Sequence, residues 1–261
     1  MKHTLIFLLI VLIMPQQGNA QQYESFSNLQ FKTFSTQQGL SQSSVLSITQ
    51  DPSGFIWMGT KDGLNRFDGY KFRTYKTESN NPNSLSNNEV IFLKSDSLGN
   101  IFIGTRGGGL NYFISNENRF KKYENLNIVD GTVNSVSQCD DGSIYVGTSD
   151  GLFQGTPDSV KQFEYHFTNR SKNSVYLGSN KKLLPYDRLS ISVVTIKKLK
   201  NNKVVVGTFK GLFIYDATDL SFTQVDIGEL NDAKITSMVW DNDSLLWVGT
   251  SEGLAKVKFE N

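Results

Sequence analysis

Apolar and polar positions along this chain repeat one phrase five times. Phe55–Thr60 (FIWMGT), Ile101–Thr105 (IFIGT), Ile144–Thr148 (IYVGT), Val204–Thr208 (VVVGT) and Leu245–Thr250 (LLWVGT) are unbroken apolar runs that end in Gly-Thr. An apolar run of that length, flanked by turn residues, predicts a strand covered on both faces. In the first unit the surrounding text divides into four such strands: a at Ser44–Asp51, b at Phe55–Thr60, c at Leu64–Asp68 and d at Tyr70–Tyr75. Gly, Asp, Asn and Pro occupy the gaps, as hairpin connections require.

The first Gly recurs at Gly59, Gly104, Gly147, Gly207 and Gly249, at intervals of 45, 43, 60 and 42 residues. A period in the low forties is that of a four-stranded propeller blade. The expected fold is therefore all-β, a β-propeller of antiparallel blades near 41–78, 86–124, 132–167, 190–226 and 233–261. Blades stacked face to face cover strand b on both sides, so Trp57 and Trp247 are expected to be buried between blades. A Gly within such a strand lets a neighbouring backbone come close. The second Gly, at Gly63, Gly109, Gly151, Gly211 and Gly253, is expected in a tight b–c hairpin that needs positive φ.

Composition narrows the function classes. The formal charge is +1, from 26 basic and 25 acidic side chains, so no basic field invites nucleic acid or anionic lipid. Residues 1–20 begin with Lys2, continue through an eleven-residue apolar stretch from Thr4 to Met14 and end with Gly18 and Ala20. That is the pattern of a secretory leader cleaved after Ala20, which places the remainder, 21–261, in the periplasm or otherwise outside the cytoplasm. Its only thiol, Cys139, reads as a small buried strand residue, and His166 is the only imidazole left after the leader. A Cys/His metal site cannot be assembled from them, so no metal and no cofactor is expected. The Gly-rich GTRGGG at Gly104–Gly109 precedes a strand and lacks the Lys-Ser/Thr ending of a phosphate loop. Thr49–Trp57 approaches the Asp box of sialidases with one residue too many between Asp51 and Gly54, and reads as an a–b turn.

Gly39–Val90 resembles the two-component regulator propeller repeat, found in the periplasmic sensor region of hybrid two-component systems. Asp51, Gly54, Trp57, Gly59, Thr60, Asp62, Gly63, Leu64, Phe67 and Gly69 carry the resemblance. Blade three lacks the strand-c aromatic that Phe67 supplies, and blade four has Val205 where the family usually has an aromatic. The resemblance implies a ligand-sensing propeller, with further sensor and kinase portions of the same system as partners. This chain would be the sensing end, and a homodimer is left open.

Candidate ligand contacts follow from the face shared by the b–c turns and d–a loops, on which propellers mostly bind. The b–c tips offer Lys61, Asp62, Arg106, Asp150 and Lys210. The long third interval falls in the d–a connection and holds a basic, Tyr-bearing insertion at 168–190, with Tyr176, Lys181, Lys182 and Tyr186. Rings that stack on sugars beside cationic groups suit an acidic or sulfated oligosaccharide. The alternatives are a protein-interaction scaffold, or a glycoside hydrolase or lyase whose carboxylates, Asp62, Asp150 and Glu252, would meet at the channel mouth. No catalytic constellation stands out, and the chain is read as a binder that is not an enzyme. Phe31–Thr36 (FKTFST) matches strand d of the first unit, Phe72–Thr77 (FRTYKT), with no a, b or c before it, while the fifth unit has no d of its own. Phe31–Phe34 is therefore expected either to complete the fifth blade and close a ring, or to belong to a larger ring of which these five blades are an arc.

Overall fold

The computed structural model describes residues 30–123, 131–149, 151–156, 164–165, 192–201, 203–218, 221–242 and 244–259. Residues 1–20, expected to form a leader, His166 and the insertion at 168–190 lie outside these residues. The chain divides into two compact units, 1–33 and 34–261. Of the first, residues 30–33 are described and form no strand.

The second unit holds five antiparallel sheets, each drawn from one contiguous segment. Blade one is β1 (Val45–Gln50), β2 (Ile56–Thr60), β3 (Gly63–Phe67) and β4 (Phe72–Tyr75). Blade two is β5 (Val90–Ser95), β6 (Ile101–Thr105), β7 (Leu110–Ile114) and β8 (Arg119–Lys122). Blade three is β9 (Val133–Gln138), β10 (Ile144–Thr148), β11 (Gly151–Gly155) and the short β12 (Glu164–Tyr165). Blade four is β13 (Val193–Lys198), β14 (Lys203–Thr208), β15 (Gly211–Asp216) and β16 (Ser221–Gln224). Blade five has three strands, β17 (Ile235–Asn242), β18 (Leu245–Thr250) and β19 (Leu254–Lys258).

Every blade repeats the same register. Ser47, Phe92, Ser135, Thr195 and Ser237 on the innermost strands stand opposite Gly59, Gly104, Gly147, Gly207 and Gly249, beside a bulge in each ladder. The reason for the Gly lies in the next blade. A Cβ on Gly59 would stand 2.6 Å from Val90 Cγ1, one on Gly104 2.4 Å from the Val133 carbonyl oxygen, one on Gly147 2.5 Å from Val193 Cγ1 and one on Gly207 2.6 Å from Ile235 Cγ2. Each interior seam thus seats a fully buried β-branched residue against a bare backbone. The following Thr has its own task. Thr60, Thr105, Thr148, Thr208 and Thr250 each donate a hydroxyl hydrogen bond of 2.8–3.0 Å to the carbonyl of the second Gly, closing the b–c turn. At Gly63 the backbone has φ 117°, out of reach for ordinary L-residues, whereas Gly253 is not in the positive-φ region.

Four apolar clusters fill the four seams between consecutive blades. Trp57 and Leu64 meet Val90, Ile101 and Phe113; Phe102 and Leu110 meet Val133, Ile144 and Phe153. Tyr145 and Leu152 meet Val193 and Val206, and Val205 and Leu212 meet Ile235 and Val248. Cys139 is buried in the third of these clusters, as its composition suggested. Side chains also lock seams through backbone groups of the next blade: Ser47 Oγ accepts from Leu93 N at 2.9 Å, Ser135 Oγ accepts from Ile196 N at 3.0 Å, and Asn134 Nδ2 donates to the Val193 carbonyl at 2.9 Å.

The end blades differ from the interior ones. β6 and β10 are buried at every position, whereas β2 and β18 alternate between buried and half-buried. Trp57 is fully buried, its Nε1 donating to Asp51 Oδ2 at 2.8 Å. Trp247 departs from the expectation of burial: it is half-buried and lies under Lys256, whose Nζ sits 4.6 Å from the ring centroid, because no blade among the described residues covers that side of β18. Val45, Leu46 and Ile48 on blade one and Val239 and Leu254 on blade five are correspondingly exposed. The expected strand at Phe31–Phe34 does not form. Ser35 caps a 3-10 turn at Thr36–Gln38, the Phe34 ring rests against Phe67 and Phe72 of blade one at 4.9 and 5.8 Å, and β19 pairs with β18 alone. Apolar contact with its own blade outcompetes an extended strand here, so the segment does not supply a fourth strand to blade five.

Two outcomes follow from the seams. Gly104→Ala drives a methyl group into a backbone carbonyl and is expected to lose about 1–3 kcal/mol, whereas Gly249→Ala meets first the rotatable hydroxyls of Ser237 and Thr236 and is expected to lose less than about 1 kcal/mol. Urea unfolding of the two variants measures the difference, and equal losses would refute the seam contact. Trp57→Ala is expected to cost about 3–5 kcal/mol and Trp247→Ala clearly less. Iodide should quench Trp247 fluorescence in the native protein and leave Trp57 largely untouched.

Candidate functional site

The two ends of the arc present different chemistry. At the b–c end the sequence-derived candidates are separate surface groups. Lys61, Arg106 and Lys210 are exposed. Asp62 Oδ2 lies 2.6 Å from Lys76 Nζ, and Arg106 Nε lies 2.9 Å from Glu89 Oε1. Exposed pairs of this kind contribute little, about 0–1 kcal/mol each, and leave the charges in water. The Lys210 N–H donates to Thr208 Oγ1 at 3.0 Å, which makes the tip part of the turn clamp. Asp150, Tyr176, Lys181, Lys182 and Tyr186 lie outside the described residues.

In blades one, two and three the a–b turns at the opposite end are closed by carboxylates. Asp51 accepts from the N–H groups of Ser53 and Phe55 at 3.0 and 3.1 Å, and Asp96 accepts from those of Leu98 and Asn100 at 2.9 Å. The Asp-box-like text is therefore turn chemistry, as the extra residue suggested.

A wide opening lies between the innermost strands at this end. It has a volume of about 930 Å³ and is walled by β5, β9, β13 and β17, one strand from each of four consecutive blades. Phe92 and Trp240 supply half-buried aromatic surface, and Ser135, Ser137 and Gln138 supply polar wall. Four lysines, Lys94, Lys197, Lys198 and Lys200, face one carboxylate, Asp140, which is ion-paired with Lys198. Lys94 is half-buried, and its ammonium donates to the Val136 carbonyl at 3.4 Å. Burial, and after it the Lys197 and Lys198 ammonium groups, holds Lys94 below the ordinary lysine pKa.

None of the described candidates, Lys61, Asp62, Arg106 and Lys210, lines this opening. The lysines were visible in the text as FLKSD and TIKKLK, polar residues inside runs otherwise shaped for an innermost strand. Their convergence was not visible, because it depends on the stacking of blades two, three and four. Among the described residues no group of three or more His, Cys, Asp or Glu side chains could hold a metal ion, and no helix is long and apolar enough to cross a membrane.

Known proteins share the repeat and the fold. The two component regulator propeller family matches residues 39–62 and 229–252, in the first and last blades. A curated relative, histidine kinase P4 of Formosa agariphila, is 50% identical over 60 residues, covering 23% of this chain and 4% of that protein. A crystallised extracellular domain, assigned to a hybrid two component system of B. thetaiotaomicron, superimposes with a TM-score of 0.68 and 27% identity, covering 86% of this chain and 30% of that one. A second such domain from the same organism gives 0.66 and 18%, over 84% of this chain and 27% of that one, and at that identity shows the fold alone. The chain thus spans less than a third of each protein it matches here. By its repeated text, its four-stranded antiparallel blades and these matches, the chain is similar to the two component regulator propellers, whose pattern its first and last blades carry.

Proposed function

We propose that the chain is an extracytoplasmic ligand-sensing propeller of a two-component signalling system, and that its ligand is an oligosaccharide. The observation that carries this reading is the opening of about 930 Å³ whose wall comes from four blades at once. A ligand seated there touches β5, β9, β13 and β17 together, so its binding energy is spent on how four blades sit against one another. That is the coupling a sensor needs, since a ligand shifts a conformational equilibrium only through contacts that differ between states. The likeness to an extracellular domain of a hybrid two component system supports location and role. The partners under this reading are the ligand and the remaining sensor and kinase portions of the same system. Nucleic acid has no place in it.

A wall of Ser, Gln, Lys and aromatic side chains can bind sugar hydroxyls and ring faces. Among the described residues that line it, Asp140 is the one carboxylate. The ligand is thus expected to be read and released unchanged. A second reading, contact with protein, is favoured by Val45, Leu46, Ile48, Val239 and Leu254 on the two outer blade faces. Those faces and the central opening are separate surfaces, and both readings can hold.

Calorimetry of the full chain against neutral and acidic oligosaccharides tests the proposal. Saturable binding to at least one of them, without growth of reducing ends over hours, is the expected result. Absence of binding across the panel, or steady release of reducing ends, would overturn it.

A further inference from the structure

The distribution of charge in the central opening points to the kind of ligand. Lys94 pairs in register with Phe102, Ser137 with Tyr145 and Lys197 with Val205, so the three occupy one repeated position on three successive blades. The innermost strands of these blades pack side by side, β5 against β9 and β9 against β13. Lys94 and Lys197 therefore flank the serine-bearing strand β9 from its two sides. Lys198 is the next residue along β13 and is ion-paired with Asp140. The opening keeps an excess of three positive charges over its one acid.

Nothing in the fold requires this charge. The equivalent position is Thr49 in blade one and Val239 in blade five, and the register is the same there. An ammonium group withdrawn from water with only a backbone carbonyl at 3.4 Å is a cost to the folded state. A second and third ammonium group in the same opening raise that cost through like-charge repulsion. An anion entering the opening would reverse both effects at once, and the neighbouring hydroxyls of Ser135 and Ser137 lie in the same wall to share the remaining lone pairs.

We propose that the opening is an anion-binding site in which Lys94 and Lys197, with Lys198 beside them, hold the carboxylate or sulfate group of an acidic saccharide against β9 while Trp240 covers a face of its ring. The saccharide part rests on the reading given above; the anion part does not. Lys94 is the central group because it is the lysine drawn furthest from water, with no carboxylate partner in the described structure. Lys200, in the a–b turn that follows β13, adds to the positive field around the opening.

Calorimetry with sodium sulfate, a glucuronate-bearing disaccharide and the matching neutral disaccharide tests the site in the full chain and in Lys94→Met and Lys197→Met. The expected result is preference for the acidic over the neutral disaccharide, an affinity that falls as ionic strength rises, and a loss of about tenfold or more in either variant. Thermal melting without ligand guards against a mere folding defect: Lys94→Met should melt no lower than the parent, since it removes a charge that the fold alone does not use. Binding of sulfate with loss in the variants would support the anion site even if neither disaccharide bound, and would then count against the saccharide reading. Equal binding of neutral and acidic disaccharides, unaffected by either substitution, would overturn the anion site and leave the oligosaccharide sensor standing. A Lys94→Met variant that melts clearly lower, or binding of none of the three probes, would also overturn it.

Discussion

The contact on which this structure depends is a β-branched side chain seated on a bare glycine backbone. Val90, Val133, Val193 and Ile235 each open the innermost strand of a blade, and each lies where the preceding blade has a Gly with no room for a Cβ. The approach sets the spacing of neighbouring sheets near the axis. Around it the larger side chains of strands b and c fill the seam, so a cluster of buried aromatic and aliphatic residues accompanies every such contact. Interior packing at this density tolerates little added volume.

Thr, the partner of that Gly in the repeated text, works on a different scale. Its hydroxyl ties the b–c hairpin to its own blade, while Gly ties one blade to the next. The pair therefore encodes both local and long-range structure in two adjacent residues. Turn carboxylates such as Asp51 and Asp96 do the equivalent work at the opposite end. With both ends of every blade fixed by short hydrogen bonds, the innermost strands are free to carry residues that the fold does not need. That freedom is where Lys94 and Lys197 occur, and it gives the axis a chemistry separate from the packing that supports it.

The outer faces of blades one and five show what the seam contact supplies by showing its absence. Val45 occupies the position that is fully buried in the other four blades, and it is 42% exposed. The atoms nearest to a Cβ on Gly249 are side-chain atoms of its own blade, Ser237 and Thr236, and none belongs to a neighbouring blade. Strand b alternates between buried and half-buried in both end blades, although its text is as apolar as in the interior ones. Burial of these runs is thus a property of neighbours, and the run itself records only that a neighbour can be accommodated.

Much of the architecture was legible from the sequence because it is local and repeated. Period, strand order within a blade, hairpin positions and the structural use of Gly59 and Gly63 follow from residue types at fixed spacing, and five copies make the pattern unambiguous. Two things required the tertiary structure. The fate of Phe34 was decided by competition between strand pairing and ring contact with Phe67 and Phe72, groups more than thirty residues away in sequence. The central opening was decided by the stacking of blades, which brings Lys94, Lys197 and Lys198 to one wall although about a hundred residues separate them. A repeat specifies what each blade is, through short-range pattern; the order and angle of stacking specify which equivalent positions face one another, and charge at an axis exists only after that stacking.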